Sequence, residues 1–412
     1  MPSAAPFHVL IIGGGYSGLA LAHALQKHAV PYTLHERDSS AAYLARPRDW
    51  GSLLHWGQAY LRRCLPDDLW ERRAAMAVDP WFDGAHACGP GVLWDAKTGA
   101  ELLRPKAVDG TVRVSRAKAR RVLSPGLNVV CGKRVVAVED VDEEVRVRFE
   151  DGSEARGSVV VGCDGAKSKV REFVVGEEAA KGFDSDYTMI NTWTTLPADV
   201  ALRLREKHPI LSQAIHPDLQ VGALIATLDI PSPEAPPEDW KFQVYTGWKG
   251  RPRKADLDTN EKAMRHVKAI FEQIAEPFYS VGKSLPDDLV LPVDDGWNFK
   301  PIGNFEWNNH GGKVVLVGDA AHSMLPHRGQ GLNNAIMDAA LLAEALREFH
   351  DGQKTLAEAI QGYEDDMRPR GTKEVETTLE TMKTQAECDL KKSPLFTIGL
   401  HRPEDATSTS NL

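Results

Sequence analysis

The sequence is poor in the features that assign a chain at sight. Its five cysteines, Cys64, Cys88, Cys131, Cys163 and Cys388, are odd in number and form no Cys-x-x-Cys pair. That argues against a disulfide framework and favours a reducing, intracellular setting. Long apolar runs are missing too. The only early one, 7–12, is far short of the roughly 20 residues a membrane span needs. It leads into glycines rather than the small-residue cleavage site of a secretory signal. A cytoplasmic protein without a membrane partner is expected. Basic charge is scarce: 49 Lys and Arg against 58 Asp and Glu leave a net charge of -9. With no basic face to neutralise phosphates, nucleic acid is not expected as a partner. No repeat, metal-ligand pattern or low-complexity block stands out beyond a proline-rich loop at 231–237.

What remains is an enzyme-like composition. A chain of 412 residues exceeds the usual size of one core, and 42% hydrophobic with 26% charged residues suits two packed globular lobes. The pattern at 7–12, 16–28 and 32–35 predicts strand, helix, strand, the opening of a parallel sheet. Helices are predicted at 52–65 and at 115–123, the latter capped by Ser115. Strands at 135–138, 145–149 and 159–161 follow, with Asp151-Gly152 as a hairpin turn before the last. From about Asp186 the texture is that of a second sheet, with strands at 187–195, 220–230 and 241–248. The chain then returns through a buried strand at 313–317 to helices at 332–349, 356–367 and 371–387. This divides it into 1–183 and 294–390 as two parts of one domain, 184–293 as an inserted sheet domain, and 391–412 as a polar tail, loose from Arg402 to Leu412.

Two motifs carry chemistry. Gly13-Gly14-Gly15-Tyr16-Ser17-Gly18 sits between a buried strand and a helix. There Gly13 permits the turn, Gly15 lets a diphosphate approach the backbone and Gly18 lets helix and strand pack. The helix N-terminus offers N–H donors to phosphates. Glu36, with Arg37 beside it, ends the second strand where an acid accepts from ribose hydroxyls. The second motif runs from Val317: Gly318-Asp319-Ala320-Ala321-His322, then Pro326 and Gly329-Gln330-Gly331-Leu332-Asn333, entering a helix through small residues that let a ligand approach the backbone.

With the segment Cys163-Asp164-Gly165-Ala166-Lys167-Ser168-Lys169-Val170-Arg171, these motifs resemble in order those of the flavin-dependent monooxygenases related to p-hydroxybenzoate hydroxylase, and the resemblance covers nearly the whole chain. It implies an α/β fold: a Rossmann-like dinucleotide-binding FAD domain, an inserted sheet-based substrate domain and C-terminal helices. It implies FAD as cofactor, NAD(P)H as co-substrate and O2 as oxidant. The implied reaction reduces FAD, captures O2 as a C4a-hydroperoxyflavin and hydroxylates or epoxidises an aromatic or enolic small molecule. Carried over residue by residue, Asp319 holds the ribityl chain and Gly331, Leu332 and Asn333 offer backbone to the isoalloxazine. Asp164 belongs to a segment serving FAD and NAD(P)H. Arg116 approaches the diphosphate, and Arg48 matches a further arginine near the flavin.

The chain departs from the family pattern at 46–57, where Trp50, His55 and Trp56 stand in place of small residues. His55 is therefore expected to act as proton acceptor on the substrate side, with Arg48 as the other catalytic candidate. His322 is expected to be a packed histidine. In the sheet domain Asn191 and Trp193 share a strand face, and Tyr245 or Trp248 could join them. A flavin reductase or oxidase without oxygen insertion, and a non-enzymatic flavin-binding module, remain open at this point.

Overall fold

The computed structural model describes residues 6–45, 49–82, 89–105, 110–301 and 307–401. Strands are numbered in chain order. β1 (Val9–Ile12) is buried throughout, which is why its four residues are all aliphatic: a central parallel strand is covered on both faces. It pairs in parallel with β2 (Tyr32–Glu36), Val9 opposite Tyr32, and on its other side with β11 (Val159–Gly162), Val9 opposite Val159. β7 (Val129–Cys131) and β17 (Val314–Leu316) complete the sheet in the order β17-β11-β1-β2-β7. The helices Tyr16–Lys27 and Gly331–His350 pack on each other over this sheet. A separate antiparallel sheet of β8 (Val135–Val141), β9 (Glu144–Phe149) and β10 (Glu154–Gly157) leans on it. The turn at Asp151-Gly152 thus joins β9 to β10, not to β11.

The second lobe is a seven-stranded sheet in the order β16-β12-β15-β14-β13-β4-β5. Its strands are β4 (Val92–Asp95), β5 (Glu101–Leu103), β12 (Phe183–Thr195), β13 (Leu211–His216), β14 (Val221–Asp229), β15 (Lys241–Lys249) and β16 (Val293–Asn298). It is therefore not built from 184–293 alone. β4 crosses from the upstream segment to pair in parallel with β13, Ser212 opposite Val92, burying Val92 and Leu93. Side chains alternate between the faces. Ile190, Ala223, Ile225, Phe242, Val244 and Trp248 face helices that include Ala198–Lys207 and Asn260–Phe271. Tyr187, Met189, Leu224 and Tyr245 face the first lobe, against Leu325, Leu379 and Met382. Trp248 therefore points away from the lobe seam.

Three further expectations change. Residues 52–65 are not one helix: β3 (Gly51–Leu54) pairs antiparallel with β6 (Val112–Ser115), and the helix is Gly57–Cys64. The two helices expected at 356–367 and 371–387 are one helix, Leu356–Ala386, opened by a Thr355/Glu358 capping box. Pro369 lies inside it but on the exposed side, as does Asp365, so the carbonyl that loses its N–H partner can bond to water. The expected polar tail is packed over 391–401. Leu395 and Leu400 are buried with Leu93 and Ile215, and the carbonyls of Gly399 and His401 accept from Arg328 Nη2. Residues 402–412 lie outside the described residues. Among the described residues, no helix is long and apolar enough to cross a membrane.

Candidate functional site

At the carboxyl end of β1 the glycine motif closes on itself. Gly13 has φ +109°, and a Cβ there would lie 2.4 Å from the carbonyl oxygen of Cys163. Gly18 carries its helix onto the turn so closely that a Cβ would meet the Gly13 oxygen at 2.0 Å. Gly15 is different: a Cβ there would find only Arg116 Nη2, at 4.0 Å. An open space beneath a guanidinium, at the N-terminus of the helix Tyr16–Lys27, suits a diphosphate. Arg116 is held over the Trp50 ring, 4.7 Å from its centroid. It opens the helix Arg116–Leu123, whose Ser115 cap accepts from Lys118 N. Asp49 steadies the same turn, accepting from Ser115 Oγ at 2.7 Å and Ala117 N at 2.9 Å.

Glu36 is buried, with Oε2 accepting from Gly14 N at 2.8 Å and Oε1 from Asp38 N at 3.0 Å. A carboxylate at the carboxyl end of β2 is the group type that accepts from ribose hydroxyls. Arg37 is exposed, its Nε 3.9 Å from Asp38 Oδ1. Asp164 accepts from Lys169 N at 2.7 Å through Oδ2, while its buried Oδ1 has no partner, and burial raises its carboxyl above the usual range.

Asp319 joins two properties that only a narrow cleft reconciles. Its side chain is open to solvent, yet enclosure still raises its carboxyl, with His322 and then Arg116 and Arg171 drawing it back. A Cβ at Gly331 would lie 3.8 Å from Asp319 Oδ1. Asp319 thus faces the first turn of the helix Gly331–His350, where the N–H groups of Gly331, Leu332 and Asn333 have no intrahelical acceptor. Beneath it, Asp338 accepts from Gly318 N, His322 Nε2 and Arg370 Nη2 at 2.8, 2.7 and 2.8 Å. His322 is fully buried in that pairing, the packed histidine expected.

Residues 116–378 match the family described as an FAD binding domain. Over 397 residues the chain is 34% identical to the FAD-dependent monooxygenase cctM of Talaromyces islandicus, covering 95% of this chain and 96% of that protein. It is 32% identical over 400 residues to phnB of Penicillium herquei, another FAD-dependent monooxygenase, covering 95% and 94%. The chain belongs to the FAD-dependent monooxygenases. The fold is shared with Klebsiella pneumoniae HpxO complexed with FAD and uric acid, at TM-score 0.67 and 19% identity over 93% of this chain and 90% of that one.

FAD is the cofactor of this monooxygenase, and the residues present fit it. The open side of Gly15, the unpartnered Asp164 Oδ1 and the accessible Asp319 are groups that a dinucleotide would complete. Sequence reasoning passed over residues that shape this cleft from behind. Tyr43 donates to the Gly14 carbonyl at 2.8 Å, and Arg171 donates through Nη1 to the carbonyls of Asp319 at 3.2 Å and Ala320 at 3.0 Å. Arg171 stood in a motif already quoted, while Tyr43 carried no signal.

The proposed base is corrected. His55 is 1% exposed, and its Nε2 accepts from Asn333 Nδ2 at 3.0 Å. The amide orientation is fixed because Asn333 Oδ1 already receives the N–H groups of His55 and Gly57 at 3.0 and 3.1 Å. His55 is therefore neutral with Nε2 occupied, and burial lowers its pKa to about 3. It ties β3 to the helix Gly331–His350 in the monooxygenase instead of facing a substrate. Arg48 lies outside the described residues.

His35 and His327 are also lowered by burial, each to about 4. A histidine whose folded pKa is depressed contributes stability present above its unfolded value near 6.5, and lost as pH falls toward the folded value. The unfolding midpoint of the monooxygenase should therefore drop between pH 6.5 and 4. His55 alone accounts for about 3 kcal/mol at pH 4.5. Thermal unfolding against pH checks this, with His55→Asn expected to flatten the slope; an unchanged slope rejects it.

Proposed function

We propose that this chain is a single-component monooxygenase that uses NAD(P)H and O2 to hydroxylate, or epoxidise, an aromatic or enolic small molecule. The observation that carries the reading is the seam between the lobes. There Tyr187, Tyr245, Leu325 and Met382 are buried together, with Met189, Leu224 and Leu379 partly buried beside them. Flat aromatic and thioether surfaces suit a planar apolar guest. The seam adjoins the loop 326–330, which leads into the helix Gly331–His350.

In this reading Gly13, Gly15 and Gly18 shape the diphosphate turn and Arg116 balances its charge. Glu36 takes the ribose hydroxyls, with Arg37 at the rim, and Asp164 and Asp319 hold the remaining hydroxyls of the cofactor. Gly331, Leu332 and Asn333, at the N-terminus of their helix, would offer N–H groups that favour negative charge on the ring of a bound flavin. FAD, when bound, supplies hydride acceptance and oxygen activation. The apolar seam would exclude water and hold the substrate in one orientation.

Glu36→Ala and Asp319→Ala should each weaken FAD retention about ten- to a hundredfold, because each removes a charged acceptor worth about 1.5–3 kcal/mol. Flavin fluorescence during dialysis measures it, and retention equal to wild type in both variants rejects these assignments. For the reaction itself, the flavin-loaded enzyme is incubated with NADH or NADPH, labelled O2 and a panel of phenols and enolisable aromatic ketones. One labelled oxygen atom in the product is expected. Pyridine nucleotide oxidation that yields only hydrogen peroxide across the panel would leave a flavin oxidase or reductase in its place.

A further inference from the structure

We infer that Asn191 is the residue that recognises a phenolate, enolate or carbonyl oxygen of the substrate, with its Nδ2 turned outward as a donor by a buried Arg113–Gln243 pair. The inference deepens the oxygenase reading above and rests on it.

The hydrogen bonds from Arg113 to Asn191 run in one direction. Arg113, on β6, is 5% exposed and forms no ion pair with a carboxylate among the described residues. Its Nε donates to the Thr227 carbonyl at 3.2 Å, and its Nη2 donates to Gln243 Oε1 at 2.5 Å. Burial lowers its pKa to about 10, still leaving it a cation near neutral pH. Gln243 Oε1 receives a second donor, Gly51 N of β3, at 2.9 Å. Two donors on one atom require that atom to be the oxygen, so the amide nitrogen of Gln243 must point the other way. It does, donating to Asn191 Oδ1 at 2.9 Å. Asn191 is thereby oriented in turn, and its Nδ2 donates to nothing among the described residues.

Position agrees with polarity. Asn191 lies opposite Tyr245 in the β12–β15 register and shares its strand face with Tyr187 and Met189, the face turned toward the first lobe. It is half-buried. Each link is polarised in the same sense: cation to carbonyl, amide to carbonyl, amide to ligand. Hydrogen-bonded chains aligned in this way reinforce one another. Their outer end is a donor backed by buried positive charge, which favours an oxygen bearing negative charge over one that must itself donate.

The test reads binding, not turnover. The flavin-loaded protein is titrated with 4-nitrophenol above the pH at which the free probe ionises, and bound phenolate is followed by its own absorbance. Wild type is expected to bind the phenolate. Asn191→Asp, isosteric but presenting an acceptor, should weaken it about tenfold or more. Gln243→Glu separates the inference from a merely structural role. It keeps an acceptor for Gly51 and Arg113 and gains a charge pair, but Asn191 must then turn Nδ2 inward to it and expose Oδ1. The inference expects about the same weakening with unchanged flavin content and thermal midpoint, whereas a structural role expects intact binding. Absence of bound phenolate in wild type, or wild-type affinity in either variant, overturns the inference. Because neither NAD(P)H nor product enters the measurement, intact discrimination without oxygen insertion would sink the oxygenase reading alone.

Discussion

Replacing Asp338 by alanine should lower the stability of the FAD lobe by about 3–5 kcal/mol, the usual result of removing one partner from a buried ion pair. Asp338 has no accessible surface. Burial by itself would raise its carboxyl, but His322 first and then Arg370 outweigh that and draw it down to about 2. The Arg370 guanidinium would keep Asp366 and Asn334 but lose its one buried carboxylate. Gly318 N, next to Asp319, would lose its acceptor. Urea unfolding followed by flavin fluorescence and by far-ultraviolet dichroism measures the loss. A cost below about 1 kcal/mol would mean that the lobe is held by its apolar core without this cluster.

Gly18→Ala should be as damaging for a different reason. The added methyl would stand 2.0 Å from the Gly13 oxygen and 3.2 Å from its carbonyl carbon, both backbone atoms with no rotamer to yield. Relief requires the helix Tyr16–Lys27 to lift from β1, which opens the core where Leu19, Leu21 and Leu25 are almost fully buried. A loss of about 3 kcal/mol or more is expected, since overpacking of this kind costs about 1–3 kcal/mol even where side chains can shift. Gly15→Ala provides the contrast, with only Arg116 Nη2 near the new methyl, at 4.0 Å. That variant should keep its unfolding midpoint without flavin and lose affinity for FAD. A Gly18→Ala protein with full flavin and a wild-type midpoint would contradict the geometry.

The parts legible in the sequence were those whose signal is local. β1, the glycine turn and the following helix announce themselves within a dozen residues, because burial on both faces and close backbone approach each demand particular residue types. β12, β14 and β15 of the second sheet were legible for the same reason, as β-branched and aromatic alternation, whereas β13 and β16 were not. What escaped depends on distant partners. β4 and β5 are 4 and 3 residues long and acquire meaning only beside β13, more than a hundred residues later. His55 looked available because the group that occupies it, Asn333, is 278 residues away. The final segment reads as polar, yet two leucines and the carbonyls claimed by Arg328 fix it. Asn191 was legible as a face residue, but its donor polarity exists only once Arg113 and Gln243 meet.

The position of β17 carries a consequence for how the chain comes to be folded. It covers the outer edge of β11, Val160 opposite Val314, across some 150 residues that include most of the second lobe. During synthesis β11 emerges long before its neighbour, so a strand made of Val159, Val160 and Val161 waits with unpaired N–H and C=O groups along one side. An apolar open edge is the usual template for intermolecular pairing. Loop-closure entropy must also be spent before that distant contact rewards it, which slows the closing step. The inserted lobe can collapse on its own local hairpins meanwhile, leaving the nucleotide-binding lobe as the last to mature and the one most exposed to aggregation at the ribosome.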